Sequence, residues 1–340
     1  MRAFTNYLLL LVLTGLAFSA VLMAGSNAGY PAPVGPQFDN HIRKNFLTAI
    51  TQDQPDIVLL GDSMLDIGVD PVRLGTRLDR KVYDIALRGS ASTLWYLILK
   101  NNIVDAPVPP KYLIIFFRDS LLTVPGFRVQ GRYLEQIDEY ATSKDQLLIE
   151  RAYLNLMSPP EIWAERYFPP YSFRWQVRAK LDDLIRNLLP GEILACSNEC
   201  TDRAMNVVFG DNNLDPTFLS NAIDAADEYM YRPENLDFDR QVEISFLPEF
   251  IRLTREHDIH LILVQMKTVE FSSASREGSN LARYRADLGQ YLDRNGVTYL
   301  DFSSDPRIKD DFFYDTLHFT EEGRAAFTEM LIDGLEPYIK

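Results

Sequence analysis

The chain has 340 residues, 46% of them apolar, and a formal net charge of −14. That apolar share builds a large core and excludes a disordered chain, and the length admits two lobes or one elaborated domain. The acidic balance argues against a nucleic-acid partner, because binding phosphates needs clustered Lys and Arg.

From the amino terminus, Arg2 precedes Tyr7–Ala24, an almost wholly apolar run that has the pattern of an export signal. Its length lies between a long signal-peptide core and a short transmembrane helix. The favoured reading is an uncleaved anchor with the amino terminus inside and the bulk outside. The alternative is a cleaved signal peptide, with Ser26-Asn27-Ala28 as its cleavage site. Tyr30–Pro36, with three prolines and a glycine, reads as an extended linker, and Asn40–Gln52 as a short helix. This divides the chain into an anchor over 1–28, a linker with lead-in helix over 29–53, and a main domain over 54–340.

Within that domain strands and helices alternate. Ile57–Leu60 is a short apolar run, the pattern of a buried strand, and Gly61-Asp62-Ser63 forms its exit loop. Asp70–Leu78 reads as a helix with Pro71 at its first position. Val82–Ala86 is a second strand, leaving through Leu87–Ser92 into a helix over Thr93–Lys100. Tyr112–Phe117 is a third strand, continuously apolar and therefore central. From about 126 to 239 the alternation stops, and a gap of that length is an inserted, mainly helical subdomain. Asp145–Leu156 and Phe173–Leu189 carry apolar residues at helical spacing. Between them lie Trp163, Tyr167, Phe168, Tyr171, Phe173 and Trp175, best read as a hydrophobic core under the insertion, with stacking on sugar rings or facing a membrane as alternatives. Alternation resumes with a long helix over Asp239–His257, a strand over His260–Met266, a helix over Ser275–Asn295, a strand over Val297–Phe302 and a closing helix over Glu321–Leu335 with Thr320 as N-cap. The expected fold class is α/β: three layers, a parallel sheet covered by helices on both faces.

The two cysteines, Cys196 and Cys200, read as a small disulfide loop in an exported chain. The rival reading is half of a metal site, which no nearby His or third Cys completes. His41, His257 and His260 show no ligand spacing and read as structural. No cofactor or metal is expected.

Ser63 sits just past a strand end, where open α/β sheets place their chemistry. A serine there becomes a nucleophile only if a base reaches it. In the loop before the closing helix, Asp315 stands three residues ahead of His318, close enough to orient an imidazole and stabilise its charged form. With these residues in this order the chain resembles the SGNH (GDSL-like) hydrolase superfamily: Gly61-Asp62-Ser63 matches its first block, and Asp315 and His318 match its closing Asp-x-x-His. The resemblance implies a flavodoxin-like α/β/α domain and acyl transfer through an acyl-serine, with Ser63, His318 and Asp315 catalytic. Gly89 falls where the family uses a glycine N–H in the oxyanion hole. The third block departs from the family. Asp119 stands where the family has an Asn donor, and an ionised Asp accepts but cannot donate. Either Arg118 takes over as a cationic oxyanion donor held by Asp119, or Arg118 and Asp119 form a structural ion pair.

The chain further resembles membrane-anchored SGNH proteins that partner multi-spanning membrane-bound O-acyltransferases. That implies extracytoplasmic or periplasmic O-acylation (O-acetylation) of a cell-envelope polysaccharide. The alternatives are a carbohydrate esterase or deacetylase of the same type, secreted if the signal is cleaved, and a non-catalytic glycan-binding scaffold.

Overall fold

The computed structural model describes residues 2–25, 31, 34–38, 41–130, 132–174, 177, 228–269 and 279–339. The candidate cleavage site at 26–28, Trp175, Cys196, Cys200 and nearly all of the expected helix over 173–189 lie outside them. The chain divides into two units, one made of Met1–Gln37 with Leu156–Ala226 and the other of Phe38–Asn155 with Asp227–Lys340.

The larger unit holds the alternating elements. These are α2 (Asn45–Asp53), β1 (Ile57–Gly61), α3 (Ser63–Gly68), α4 (Pro71–Leu78), β2 (Val82–Ala86), α5 (Ser92–Ile98) running into a π-helical turn over Leu99–Ile103, and β3 (Tyr112–Phe117). Then come α6 (Arg132–Asp138) and α7 (Gln146–Ala152). After the other unit's residues follow α10 (Phe238–Ile244), α11 (Leu247–Glu256), β4 (His260–Gln265), α12 (Ser279–Arg294), β5 (Thr298–Asp301) and α13 (Glu321–Leu335). The smaller unit contributes α1 (Arg2–Gly25), α8 (Pro159–Tyr167) and α9 (Pro169–Ser172).

The five strands are all parallel, in the order β2-β1-β3-β4-β5, the flavodoxin-like order of a doubly wound sheet. Every residue of β1 and β3 is buried, which is why both read as unbroken apolar runs. Gly289 of α12 lies against Tyr299 of β5, and Gly334 of α13 against Leu300. Neighbouring residues of a strand face opposite ways, so α12 and α13 cover opposite faces. α3 and α4 pack with α13, and α10 packs with α11 and α12. The three layers expected from the alternation are therefore present.

Three sequence expectations need correction. The segment after Asp62 is a helix, not a loop: the Asp62 carboxylate accepts the Met64 N–H at 2.9 Å and caps α3. The single helix expected over Asp239–His257 is two, α10 and α11, broken at Ser245-Phe246. Pro248 lacks the N–H that a continuous helix would donate to Ile244, and its ring would crowd that carbonyl. The aromatic cluster is only partly a core. Phe173 is 4% exposed, but Trp163, Tyr167 and Phe168 are exposed.

One acid in the sheet has no hydrogen-bonding role. Val82 packs on Gly75 of α4, so Asp84, two residues on, points to the same covered face. Its Oδ1 is buried without a hydrogen-bond partner among the described residues. Burial first, then the Asp66 carboxylate, push its pKa from the ordinary 3.8 up to about 6, against the pull of Arg324. The folded state therefore holds a proton that the unfolded state has lost, and stability declines as pH rises from about 4 to 6. Asp84→Asn should match the parent at pH about 4 and be more stable by about 1–2 kcal/mol at pH about 7. Urea unfolding at both pH values measures the difference, and an equal effect at the two would refute the assignment.

Candidate active site

β1 lies between β2 and β3, where the order of chain connections reverses, and open α/β sheets place their ligand crevice outside the strand ends at such a point. Ser63 is the first residue of α3, immediately past β1. Its N–H belongs to the helix's first turn, whose donors lack intrahelical acceptors.

The opposing loop is a small hairpin ahead of α13. Phe313 and Phe319 form an antiparallel bridge, and the Tyr314 N–H donates to the His318 carbonyl at 3.1 Å. The turn is tied by Asp315, whose Oδ1 accepts the N–H groups of Leu317 and His318, each at 2.7 Å. The hairpin is held to α13 by Phe319, which is buried and stacked on Phe327 at 5.2 Å. Thr320 caps α13, accepting the Gly323 N–H at 3.1 Å. Gly323 permits the close approach: a Cβ there would stand 2.3 Å from the Phe312 carbonyl oxygen.

This loop brings together residues 255 apart in the sequence. His318 Nδ1 lies 2.7 Å from Asp315 Oδ2, and His318 Nε2 lies 2.8 Å from Ser63 Oγ. Burial pushes the Asp315 carboxyl up, but the His318 ring and the Leu317 and His318 N–H groups outweigh it and leave its pKa below the ordinary value. An ionised carboxylate only accepts, so Nδ1 carries the proton and Nε2 of the neutral ring is left to accept from the Ser63 hydroxyl. The arrangement can take a proton from Ser63 Oγ as that oxygen attacks an electrophile.

Gly89 lies in the loop after β2 at φ +77°, a conformation that side chains disfavour. Its N–H has no hydrogen-bond partner among the described residues. The loop is fixed against β1: Leu87 N–H donates to the Gly61 carbonyl at 3.0 Å, Ser90 Oγ to the same carbonyl at 3.2 Å, and the buried Trp95 indole N–H to Ser90 Oγ at 2.7 Å.

Arg118 and Asp119 follow β3 directly. Both are buried, and Arg118 Nη1 meets Asp119 Oδ2 at 3.0 Å. Asp119 is left-handed, at φ +46°, which Asp tolerates better than most residues. Its charge also reaches the buried Tyr284 phenol, whose pKa is raised mainly by burial and further by Asp119. The ion pair common to both sequence readings is thus present.

Sequence reasoning missed the rim. The Tyr314 ring, 59% exposed, stacks on the His318 imidazole with centroids 5.7 Å apart and planes 16° from parallel. Arg88 Nε holds Asp66 Oδ2 at 2.6 Å, and both charges reach the Tyr314 phenol. The visible signal was the alternation Phe313-Tyr314 and His318-Phe319 around a turn led by Asp315, which reads as a hairpin with Tyr314 opposite His318. His257 and His260 lie outside the site: His257 Nδ1 is 2.9 Å from the Leu253 carbonyl, and His260 stacks on Tyr112.

Removing one partner of a buried ion pair takes the opposite charge away from the other. Arg118→Ala should cost about 3–5 kcal/mol of folding stability, and adding Asp119→Ala should recover part of it. Urea unfolding of the single and double variants measures this coupling, and a double variant less stable than the single would overturn it.

No family model and no curated protein matches the chain. Among solved structures it is similar to a protein from Bacteroides fragilis assigned as an acylhydrolase, at 10% identity and a TM-score of 0.38, covering 90% of this chain and 92% of that one. It is similar to a Desulfitobacterium hafniense protein assigned to the lipolytic G-D-S-L family, at 11% identity and a TM-score of 0.39, covering 82% and 98%. It is also similar to a GDSL-like lipase from Bacteroides thetaiotaomicron, at 9% identity and a TM-score of 0.38, covering 86% and 98%.

Proposed function

We propose that the chain is a serine-dependent acyl-transfer enzyme of the SGNH type. The observation that carries this is the unbroken line from Asp315 Oδ2 through the His318 ring to Ser63 Oγ. Ser63 Oγ attacks the acyl carbonyl carbon while its proton passes to His318 Nε2. The tetrahedral intermediate collapses, the carbon–oxygen bond to the leaving alcohol breaks, and His318 returns the proton to that alcohol. An acceptor hydroxyl then gives its proton to His318 and attacks the acyl carbon; the second tetrahedral intermediate collapses, the carbon–Oγ bond breaks, and His318 returns the proton to Ser63 Oγ. Asp315 stays ionised and stabilises the imidazolium formed in each half. The oxyanion is assigned to the N–H groups of Ser63 and Gly89, with the Arg118 guanidinium as a further donor.

The acceptor proposed is a sugar hydroxyl of a cell-envelope polysaccharide, which makes the chain an O-acyltransferase, here an O-acetyltransferase. The acyl group would come from a multi-spanning membrane-bound O-acyltransferase. Support comes from α1, whose segment Phe4–Ala24 has a mean hydropathy of 2.3 and the length to cross a bilayer. Arg2 before it favours a cytoplasmic amino terminus, with the main domain on the far side of the membrane. Water as acceptor gives the alternative, a carbohydrate esterase.

A fluorophosphonate should label the full chain at Ser63. Labelling should vanish in Ser63→Ala and slow by at least about a thousandfold in His318→Ala. A folded wild-type chain that resists labelling would leave a non-catalytic scaffold. With an acetyl donor and a soluble oligosaccharide, the split between acetylated sugar and free acetate decides transferase against esterase.

Tyr314 should stabilise the imidazolium formed in each half-reaction, since a cation against an aromatic face gains about 0.5–2 kcal/mol. Tyr314→Leu should then lower turnover by about 2- to 30-fold. Tyr314→Phe, which keeps the ring, should stay within about twofold of the parent. Equal losses in both would assign the effect to the hydroxyl instead.

A further inference from the structure

A surface helix of a soluble protein buries its apolar stripe, whereas α8 leaves its aromatic residues exposed and buries an acid. Its buried residue is Glu165, 2% exposed and paired with Arg174. Its exposed face carries Trp163, 60% exposed, and Tyr167 one turn on, with ring centroids 6.0 Å apart. Phe168 caps the helix and is exposed as well. The acids of α8 are already engaged: Glu161 accepts from the Ser158 N–H at 2.7 Å and its hydroxyl at 2.6 Å, and Glu165 is held inside.

α8 packs against α9. In the same unit, α9 packs against α1. The residues of α1 that lose exposure, Gly15, Ser19 and Leu22, share one side of that helix. Ser19 is buried there and donates its hydroxyl to the Gly15 carbonyl at 2.6 Å, so it brings no unsatisfied polar group to the contact. Gly15–Leu22 lies in the carboxyl-terminal half of the 21-residue apolar segment. An element packed there meets the outer leaflet and its headgroup region if α1 spans the bilayer. Trp and Tyr are the side chains that favour this zone, with an apolar ring and a polar handle. Arg166, exposed on α8, can extend its guanidinium toward lipid phosphates.

We infer that α8 and α9 form an interfacial collar around the outer end of α1, with Trp163, Tyr167 and Phe168 seated among lipid headgroups. This rests on reading α1 as a membrane anchor. Aromatic pairs also stack on sugar rings, but a glycan platform would leave unexplained why α9 is packed on an apolar helix long enough to span a bilayer.

The test uses the full chain in vesicles of phosphatidylcholine with phosphatidylglycerol that carry spin-labelled lipid, the label near the headgroup or near the acyl-chain end. Subtracting the emission of Trp163→Phe from that of the parent isolates Trp163. Phe18→Trp, added to the Trp163→Phe chain, reports on α1. Trp163 should lose at least about half its emission to the shallow label and less to the deep one, while the probe at position 18 is also quenched. Quenching at position 18 without quenching of Trp163 would overturn the collar and leave the anchor standing. An aqueous oligosaccharide that then shifts the Trp163 emission would mark a glycan platform. Quenching of Trp163 alone would support lipid contact by α8 and remove the anchor, and no quenching at either site would overturn both.

Discussion

The hydrogen bond between His318 Nε2 and Ser63 Oγ joins residues 255 apart in the chain, and its geometry is set by how α13 is fastened to the segment after β1. Arg324 of α13 donates twice to the Val69 carbonyl, at 3.0 and 2.8 Å, where α3 ends. One turn later Thr328 Oγ1 accepts the Asp70 N–H at 3.1 Å. Glu329 then takes Arg73 at 2.5 Å and Arg77 at 2.6 Å from α4. The last two pairs are exposed and contribute little to stability. The first contacts are to backbone groups at the end of α3, so they fix position. Beneath them Phe319 and Phe327 stack in the core, which carries the hairpin's register through to the imidazole.

The legible parts of the sequence were those where local pattern and tertiary demand coincide. β2, β3 and α13 fall at the residues expected from apolar runs and from Thr320, because a buried parallel strand has no other way to read. The Ser63–His318 pairing was legible from two short blocks, since each is tied to an element boundary: Ser63 to the end of β1, Asp315 and His318 to the cap of α13. The helix break at Ser245-Phe246 was missed because periodicity runs through it, and Pro248 had to be weighed as a breaker of the segment before it. Tyr314 was missed because stacking on His318 is a cross-hairpin relation, invisible until the bridge at Phe313 and Phe319 is recognised.

The exposed aromatics of α8 mark a different limit. Trp163, Tyr167 and Phe168 read as core because composition cannot say which side of a helix faces inward when the solvent outside is unspecified. With water outside, the aromatic side should turn in and Glu165 out. Instead the aromatics are exposed and Glu165 is buried, which the proposed contact with a headgroup layer would account for. Hydrophobic patterning therefore reports orientation only relative to an assumed solvent.

The third block raises the sharpest electrostatic question at the site. A lone carboxylate at the end of β3, in place of a neutral donor, would oppose the negative charge that develops on an attacked carbonyl. Asp119 is not alone. Arg118 meets it at 3.0 Å with both side chains buried, so the pair has no net charge, and at a distance it acts as a dipole whose field falls off faster than that of a single ion. The left-handed backbone at Asp119 is what lets two successive residues after a strand turn their side chains toward each other, since residues continuing in extended conformation would point to opposite faces. The strain of that one residue, on the order of 1 kcal/mol, is small beside the several kcal/mol that a buried carboxylate without its partner would cost. A departure that looks hostile to acyl chemistry in the sequence is, in the folded chain, an internally neutralised one, and the line from Asp315 to Ser63 does not depend on it.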